Sequence, residues 1–471
     1  MKVRSILVPL LAACLVLGGC GHSRQSQTAA GDSGSVRTGF VQSESVDADV
    51  YLDGTMSMSG YVNYPSGTIY EDSIKGIERT IQENWKDEKV TFVKFGDNFT
   101  SLDRNGLLQA NQADFYNEKD TSLQTVVEKS DDKKLNIIVT DLFQTNQDID
   151  SLMNALKGKC FAQKHALAVI GVKSQFNGKI YDVGKSQASF EYATNEDPSS
   201  YRPFYLMVYG NENDVRAFTE SYTKSLPKDV QHKETLLSAN MAADVALEND
   251  AASKGEKREK NVAQLAEISN LSSDSGVVQY RLKLDEKYSK ANIALSGDKV
   301  IGELPQKFAV KTDQVEEAVS AGGEEKSHSG IRAWIDKIFH RSKRNTENGK
   351  YTAVKADDFL SGDSSNAETK DNKVNLSMSV KVDPASIKKN QGSYRTQISL
   401  IPDKQDYLNS NSKVFSDWNF EDNQANADEN TLKQSGSKTL NINTFIRQLS
   451  SLNYEMNEPG FHNLYIYFDA Q

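Results

Sequence analysis

The chain has 471 residues, enough for two or three domains of ordinary size, and 37% of its residues are hydrophobic. This polar composition indicates that part of the length is linker or irregular segment. The formal net charge of -10 at pH 7 argues against broad nucleic-acid binding, which requires a basic surface, so we predict no nucleic-acid partner.

The amino-terminal segment predicts targeting rather than a folded element. A short basic region precedes an apolar run over 6–17, which is too short to cross a bilayer by itself. The run ends in LGGC at 17–20, which resembles a bacterial lipobox; an ordinary secretory signal is the alternative. The resemblance implies a signal peptide over 1–19 and acylation of Cys20, for example with palmitate. The protein would then be an extracytoplasmic lipoprotein, anchored to the cell membrane or to an outer membrane. The polar residues 20–45 are predicted to form a flexible tether.

From residue 46 onward, short apolar runs alternate with helical patterns, as is typical of an α/β domain. Strands are predicted at 48–52, 89–95, 134–141, 165–172 and 202–210, and helices at 71–85, 122–129, 148–158 and 211–226. Together they predict a doubly wound domain with a mostly parallel sheet over 46–226. Cys160 lies between a helix and a strand, which favours a buried small hydrophobe over a nucleophile.

The remainder of the chain has a different pattern. Residues 227–266 are polar and rich in alanine, lysine and glutamate, and we interpret them as a linker. Period-two alternation then appears in VVQYRLKL, VNLSMSVKV, YRTQISLIP and HNLYIYFDAQ, which predicts an all-β, sandwich-like domain over 267–471. A polar insert over 320–373 interrupts it, and most of this insert is predicted to be disordered.

A basic amphipathic helix is predicted inside that insert, over 331–341. Its apolar residues follow the i, i+3, i+4, i+7, i+8 spacing of one helix face, and basic residues lie on the other side. Such a helix can lie on an anionic membrane surface, dock on its own domain or dock on a partner. No long apolar segment follows the signal, so we predict no transmembrane helix.

The stretch DVYLDGTMSMSG at 49–60 ends the first predicted strand with a carboxylate and three hydroxyls. An aspartate-nucleophile phosphatase of the haloacid dehalogenase type needs an aspartate where this chain has Tyr51, because that carboxylate takes the phosphoryl group. A serine-hydrolase elbow needs G-x-S-x-G, and neither Ser57 nor Ser59 has the first glycine. The third interpretation is a metal cradle.

D-x-T-x-S at Asp53, Thr55 and Ser57 lies at the carboxyl end of the first predicted strand, the usual ligand edge of such a sheet. Farther along, Thr121 precedes a predicted helix and Asp141 ends the central buried strand. This ordered set resembles the metal-ion-dependent adhesion site of von Willebrand factor A, or integrin I-like, domains. The resemblance implies that Thr55, Ser57 and Thr121 contact a divalent cation, and that both aspartates act directly or through water.

The resemblance covers residues 46–226 only. Asp120 and Leu142 stand where the family often has glycine, which concerns loop geometry rather than ligand atoms. Hydroxyl and carboxylate oxygens make a hard site suited to Mg²⁺, our first choice, or to Mn²⁺ or Ca²⁺, and unsuited to zinc. Because only two carboxylates are present, the cation would favour an acidic ligand from a partner.

The sequence therefore predicts a non-enzymatic binding protein of the cell envelope. Its α/β domain would attach, with a divalent cation, to an envelope or extracellular protein that offers a carboxylate, in adhesion or assembly. Lipidated Cys20 would provide the contact with the membrane, and the helix over 331–341 is a candidate for a second contact, with docking on its own domain or on a partner as the alternatives. The alternatives are a metal-dependent hydrolase that uses the same oxygen atoms and a structural envelope protein with a degenerate metal site.

Overall fold

The predicted alternation of strands and helices is present in the computed structural model. The strands of this part are β1 (Ser45–Asp53), β2 (Asp87–Phe95), β3 (Phe99–Leu102), β4 (Leu135–Thr140), β5 (Ala166–Ser174), β6 (Asn177–Val183), β7 (Ala188–Ala193), β8 (Arg202–Gly210) and β9 (His232–Leu237). The helices are α1 (Ile69–Asn84), α2 (Arg104–Gln109), α3 (Leu123–Lys129), α4 (Ile149–Lys159) and α5 (Glu212–Ser225). Every strand and helix predicted over 46–226 corresponds to one of these, and the structure adds β3, α2, β6, β7 and β9.

Seven of these strands form one mixed sheet in the order β3-β2-β1-β4-β8-β5-β9. β1 pairs in parallel with β2 and β4, and the other pairs in this sheet are antiparallel. Consequently β1, β2, β4 and β5 run in one direction and end at the same edge, called here the carboxyl edge. The predicted α/β fold with a central sheet is confirmed. The antiparallel strand β8 lies between β4 and β5, a placement that local periodicity does not reveal.

Helices cover both faces of this sheet. On one face, α1 buries Ile77 and Ile81, and α5 buries Phe218, against Val50 and Ile137. On the other face, α3 and α4 contribute Leu123, Val126, Val127, Leu152 and Leu156, which pack with Ile138, Leu167 and Met207. Every residue of β4 and β8 is buried, as expected for central strands between two helical layers.

A second sheet is built from later strands. They are β10 (Glu248–Asn249), β11 (Val262–Glu267), β12 (Val278–Leu284), β13 (Lys290–Asp298), β14 (Lys307–Thr312), β15 (Glu316–Ala318), β16 (Tyr351–Ala353), β17 (Leu360–Lys370), β18 (Lys373–Val382), β19 (Gly392–Pro402) and β22 (Leu464–Ala470). Two short strands, β20 (Asn419–Phe420) and β21 (Thr439–Leu440), lie between β19 and β22 in the chain and pair with each other. Apart from β20 and β21, these strands form one sheet of eleven.

This topology corrects one expectation and adds strands to two predicted polar segments. The predicted sandwich is a single sheet instead, in which β14 pairs with both β17 and β19 and thereby closes eight strands into a ring. Alternation shows that a strand has a buried face, but it does not show how the strands are distributed among sheets. β9 and β10 lie in the predicted linker over 227–266, and β16 and β17 lie in the predicted insert over 320–373. β17, with the sequence LSGDSSNAETK, has too few apolar residues to show a strand pattern.

Part of the predicted all-β region, 267–471, is helical and packs on the α/β sheet. Two helices, α6 (Lys404–Lys413) and α7 (Ile442–Asn457), follow β19 and precede β22. Tyr407 and Leu449 of these helices, and Phe415 between them, share one core with α4 and β5. The apolar spacing in α7 was an available sequence signal for a helix, since its buried residues recur every three to four positions.

The structure describes residues 43–142, 149–183, 188–238, 392–421 and 435–457, the remaining strands named above, and Pro305. The predicted signal peptide with Cys20, the tether up to residue 42 and the helix predicted over 331–341 lie outside the described residues. Arg37–Gln471 is one compact unit that contains both sheets. Among the described residues, no helix has both the length and the apolar character needed to cross a membrane.

Candidate functional site at the carboxyl edge

The structure brings the five predicted site residues together at the carboxyl edge. Asp53 is the last residue of β1, and Asp141 follows the last residue of β4, its parallel neighbour. Thr55 and Ser57 lie at the start of the 3-10 turn after β1, and Thr121 lies just before α3. All five are buried, with Ser57 the most exposed at 7%.

A chain of hydrogen bonds joins the hydroxyls to the carboxylate of Asp53. The backbone N–H and the hydroxyl of Thr55 donate to Asp53 Oδ1 at 3.0 and 2.7 Å, and Thr140 Oγ1 donates to Asp53 Oδ2 at 2.8 Å. Thr121 Oγ1 donates to Thr55 Oγ1 at 3.2 Å, and the Thr55 and Ser57 hydroxyl oxygens are 3.1 Å apart. Residues 66 positions apart in the sequence therefore share one polar cluster.

Backbone pairing between two loops places Thr121 beside Thr55. Thr55 forms an isolated parallel bridge with Glu118. Around it, the Met56 N–H donates to the Glu118 carbonyl at 3.1 Å, and the Glu118 N–H donates to the Gly54 carbonyl at 3.0 Å. This ladder fixes the loop before α3 against the end of β1, and Ser122 then caps α3 by accepting from the Thr125 N–H.

The glycine at the end of the motif is required by close packing. Phe176 directly precedes the hairpin β6–β7, and a Cβ at Gly60 would lie 2.4 Å from Cζ of its rigid ring. A Cβ at Gly178 in that hairpin would lie 2.9 Å from the Gly60 Cα. The 3-10 turn that carries Ser57 is therefore held against the hairpin by direct backbone approach. The Ser59 hydroxyl donates to the Met56 carbonyl at 2.7 Å, away from the cluster.

Leu142, which follows Asp141, has a backbone conformation that favours glycine. Its φ is 59°, in the left-handed region where a non-glycine residue is strained. The Thr140 hydroxyl, which donates to Asp53, also accepts the Leu142 N–H at 3.2 Å. Leu142 thus adopts a glycine-like conformation although the sequence has leucine, and its N–H joins the hydrogen bonds that link Thr140 to Asp53.

Burial dominates the electrostatics of Asp53. Burial, and secondly the charge of Asp141, raises the pKa of Asp53 to about 7, against the opposing hydrogen bonds from Thr55 and Thr140. A positive charge is close by, since Arg202 Nη2 lies 3.9 Å from Asp141 Oδ2. With both carboxylates ionised and one guanidinium beside them, the pair keeps one net negative charge.

Sequence reasoning missed Arg202, which begins β8. Its Nη1 donates to the carbonyl oxygens of Gly436 at 3.1 Å and Lys438 at 3.2 Å. The guanidinium therefore connects Asp141 to the turn before β21. No local signal marks this arginine, because only the placement of β8 beside β4 brings its side chain to Asp141.

The donor set fits a hard divalent cation, with three hydroxyls and two carboxylates converging at one sheet edge. Within the residues the structure describes, no three or more His, Cys, Asp or Glu side chains are grouped to hold a metal, so any cation here depends on the hydroxyls. Cys160 is fully buried, and burial raises its pKa, which is consistent with the predicted packing role.

Comparison with known proteins gives no relative from which to transfer a function. No family model, no curated protein and no solved structure matches the chain. What this cluster can do therefore rests on its own geometry and chemistry.

Proposed function

We propose that the chain is a cell-envelope lipoprotein whose α/β domain is von Willebrand factor A-like and binds a divalent cation, and through it a carboxylate of a protein partner. The observation that carries the proposal is the 3.2 Å contact between the hydroxyls of Thr121 and Thr55. It adds a ligand-type oxygen from a distant loop to the D-x-T-x-S cluster, in the manner that the sequence resemblance implies.

The residues proposed to hold the cation are Asp53, Thr55, Ser57, Thr121 and Asp141. Two buried carboxylates in one cluster are costly unless positive charge compensates them, and Arg202 supplies one such charge. A bound Mg²⁺ or Mn²⁺ would supply the rest and would act as a Lewis acid that attracts an anionic oxygen of the partner. Thr140 and the Leu142 turn orient the aspartates.

Calorimetric titration of the full chain with Mg²⁺ and with Mn²⁺ tests the cation site. The parent should bind at least one of these ions, and Asp53→Ala and Thr121→Ala should weaken binding at least tenfold because each removes a proposed ligand. Ser59→Ala is the matched control, since its hydroxyl belongs to the same turn but bonds the Met56 carbonyl. Absence of binding to the parent, or equal binding by all four proteins, would refute the cation site.

A pull-down from envelope extract then tests the partner. We expect a captured protein in the presence of Mg²⁺ that is lost with a chelator and lost with Thr121→Ala. Capture that is indifferent to both changes would mean that this edge of the sheet is not the binding surface.

Membrane fractionation tests the proposed anchor. We expect the parent in the membrane fraction and Cys20→Ser outside it, because acylation requires the thiol. Liposome co-sedimentation of the parent and of Trp334→Ala tests whether the helix predicted over 331–341 also contacts lipid. Equal pelleting of the two would exclude a contribution of that helix.

The Arg202–Asp141 contact favours a second candidate, a structural envelope protein in which the guanidinium replaces the cation. The two candidates differ in the effect of Arg202→Gln. Removing a competing positive charge should preserve or increase Mg²⁺ affinity in a true cation site. In a structural site, the same substitution should destabilise the fold by about 3–5 kcal/mol, as for a broken buried ion pair, and no cation should bind the parent.

A further inference from the structure

Two lysines lie over the indole of Trp418 near the carboxyl edge of the seven-stranded sheet, and the charge of a third lysine acts on one of them. Lys173 is the penultimate residue of β5, and Lys233 lies in β9, which pairs with β5. Their Nζ atoms lie 5.5 and 5.4 Å from the centroid of the Trp418 ring. Lys438, in the turn before β21, is close enough to affect the ionisation of Lys173. The cluster combines residues from three separate parts of the chain.

The charges of this cluster are unbalanced. Asp417 forms an ion pair with Lys233, whose ammonium also donates to the Val414 carbonyl at 2.9 Å. The Asp417 side chain is 64% exposed, so solvent screens much of its charge. Lys173 and Lys438 thus add positive charge beyond what this carboxylate neutralises.

Lys173 is the most constrained member. It is only 7% exposed, and its ammonium lies over the Trp418 ring. Within the described part of the chain, no oxygen accepts a hydrogen bond from this ammonium, although it has three N–H donors. Contact with an aromatic face offsets only part of the cost of burying a charge. Burial, together with Lys233 and Lys438, lowers the pKa of Lys173 against the opposing effect of Asp417.

We propose that Lys173, Lys233 and Lys438 form a binding site for an oxyanion, the phosphate or carboxylate group of a small ligand. An oxyanion would accept hydrogen bonds from the ammonium of Lys173 and would neutralise the excess positive charge of the three lysines. Trp418 would form an apolar wall for the rest of the ligand. The position agrees with the general rule that ligands of open α/β sheets bind at the carboxyl ends of the strands. This site does not depend on the proposed cation site.

Calorimetric titration of the full chain with inorganic phosphate and, separately, with acetate tests this site. The buffer contains chloride as its only other small anion and no divalent cation. We expect saturable binding of at least one probe, and the probe that binds identifies the anion class. Lys173→Met should weaken binding at least tenfold, because it removes the charge but keeps an unbranched side chain. Lys224→Met is the control, since Lys224 is an exposed helix lysine paired with Glu220.

Binding of neither probe, or equal binding by the parent and Lys173→Met, would overturn the proposal. Thermal unfolding without phosphate or acetate confirms that Lys173→Met folds, and it should be at least as stable as the parent because a largely buried lysine near two other lysines has lost its charge. If that variant does not fold, Lys438→Met decides, and unchanged affinity would overturn the site. Asp53→Ala should retain anion binding, so failure of the cation site and failure of this site are distinguishable.

Discussion

Gly171→Ala tests whether the carboxyl-terminal segment packs on the α/β sheet as the structure has it. Gly171 lies in β5, and a Cβ there would meet Trp418 Cζ3 at 2.9 Å, Phe415 Cε1 at 3.0 Å and Tyr205 Cε1 at 3.0 Å. Two of these rings belong to the segment after α6, and the third belongs to β8. The substitution therefore inserts one methyl group between the sheet and the segment docked on it.

The expected cost follows from these distances. Carbon atoms in favourable contact lie about 3.5–4.0 Å apart, so three rings must each move by about 0.5–1 Å. Inserting a methyl group into a filled core costs about 1–3 kcal/mol. The lower entropy of alanine in the unfolded chain returns about 0.4–1 kcal/mol. The difference is a net destabilisation of about 0–2.6 kcal/mol, with a midpoint of about 1.3 kcal/mol.

Urea unfolding followed by far-ultraviolet circular dichroism and by tryptophan fluorescence measures this change. Gly158→Ala is the matched control, because Gly158 lies in α4 and a Cβ there would have no atom within 4 Å. The same substitution should stabilise that helix by about 0.5–1 kcal/mol, so the two variants should shift the midpoint in opposite directions. If Gly171→Ala were as stable as Gly158→Ala, Trp418 and Phe415 would not pack on β5 and this reasoning would be refuted.

Three further predictions concern single positions. Burial lowers the pKa of His165 below its usual 6.5, so the unfolded chain binds a proton more readily than the native state does. The free energy of unfolding therefore falls as the pH drops through about 6.5. The melting temperatures at pH 7.5 and 5.5 should consequently differ less for His165→Gln than for the parent. At Leu142, with φ of 59°, valine should cost about 1–2 kcal/mol more than glycine in urea unfolding despite its larger apolar surface, and equal stability would contradict the strained turn. Asn453, in α7, donates to the Ser238 carbonyl at 3.1 Å and to Tyr407 Oη at 2.8 Å. Asn453→Ala should therefore lower the unfolding free energy by about 1–3 kcal/mol. A loss below about 0.5 kcal/mol, the lower end for one hydrogen bond, would mean that these bonds do not stabilise the docking of α7.

The elements around the candidate site could be predicted because their signals are local. β1 and β4 are apolar runs, α1 has a clear helical period, and the polar residues after them mark where they end. Once β1 and β4 are parallel neighbours, Asp53 and Asp141 must lie at the same edge. The cluster was thus predictable in outline from residue types and element order.

The second sheet shows where such signals fail. Its strands could be recognised where apolar residues alternate with polar ones along the sequence, as in β12, β18, β19 and β22. β17 pairs with β14 and β18, but its sequence has few apolar residues, so its composition predicted disorder instead. Strand order depends on backbone hydrogen bonds between segments far apart in sequence, and composition does not encode those pairings.

Residue types and hydrophobic periods were enough to predict the oxygen-bearing residues of the cluster, the strands β1, β2, β4, β5 and β8, and the helices α1, α3, α4 and α5. These properties follow from side-chain chemistry and from hydrophobic periods over a few turns or strand residues. The position of β8 between β4 and β5, which brings Arg202 to Asp141, is set by strand pairing that no local pattern shows. The pairing of β5 with β9 brings Lys173 and Lys233 together, and packing of the segment after α6 places Trp418 against both of them. Both results depend on contacts between segments that are far apart in the sequence. A local pattern of residue types does not show which distant segment covers a given buried surface.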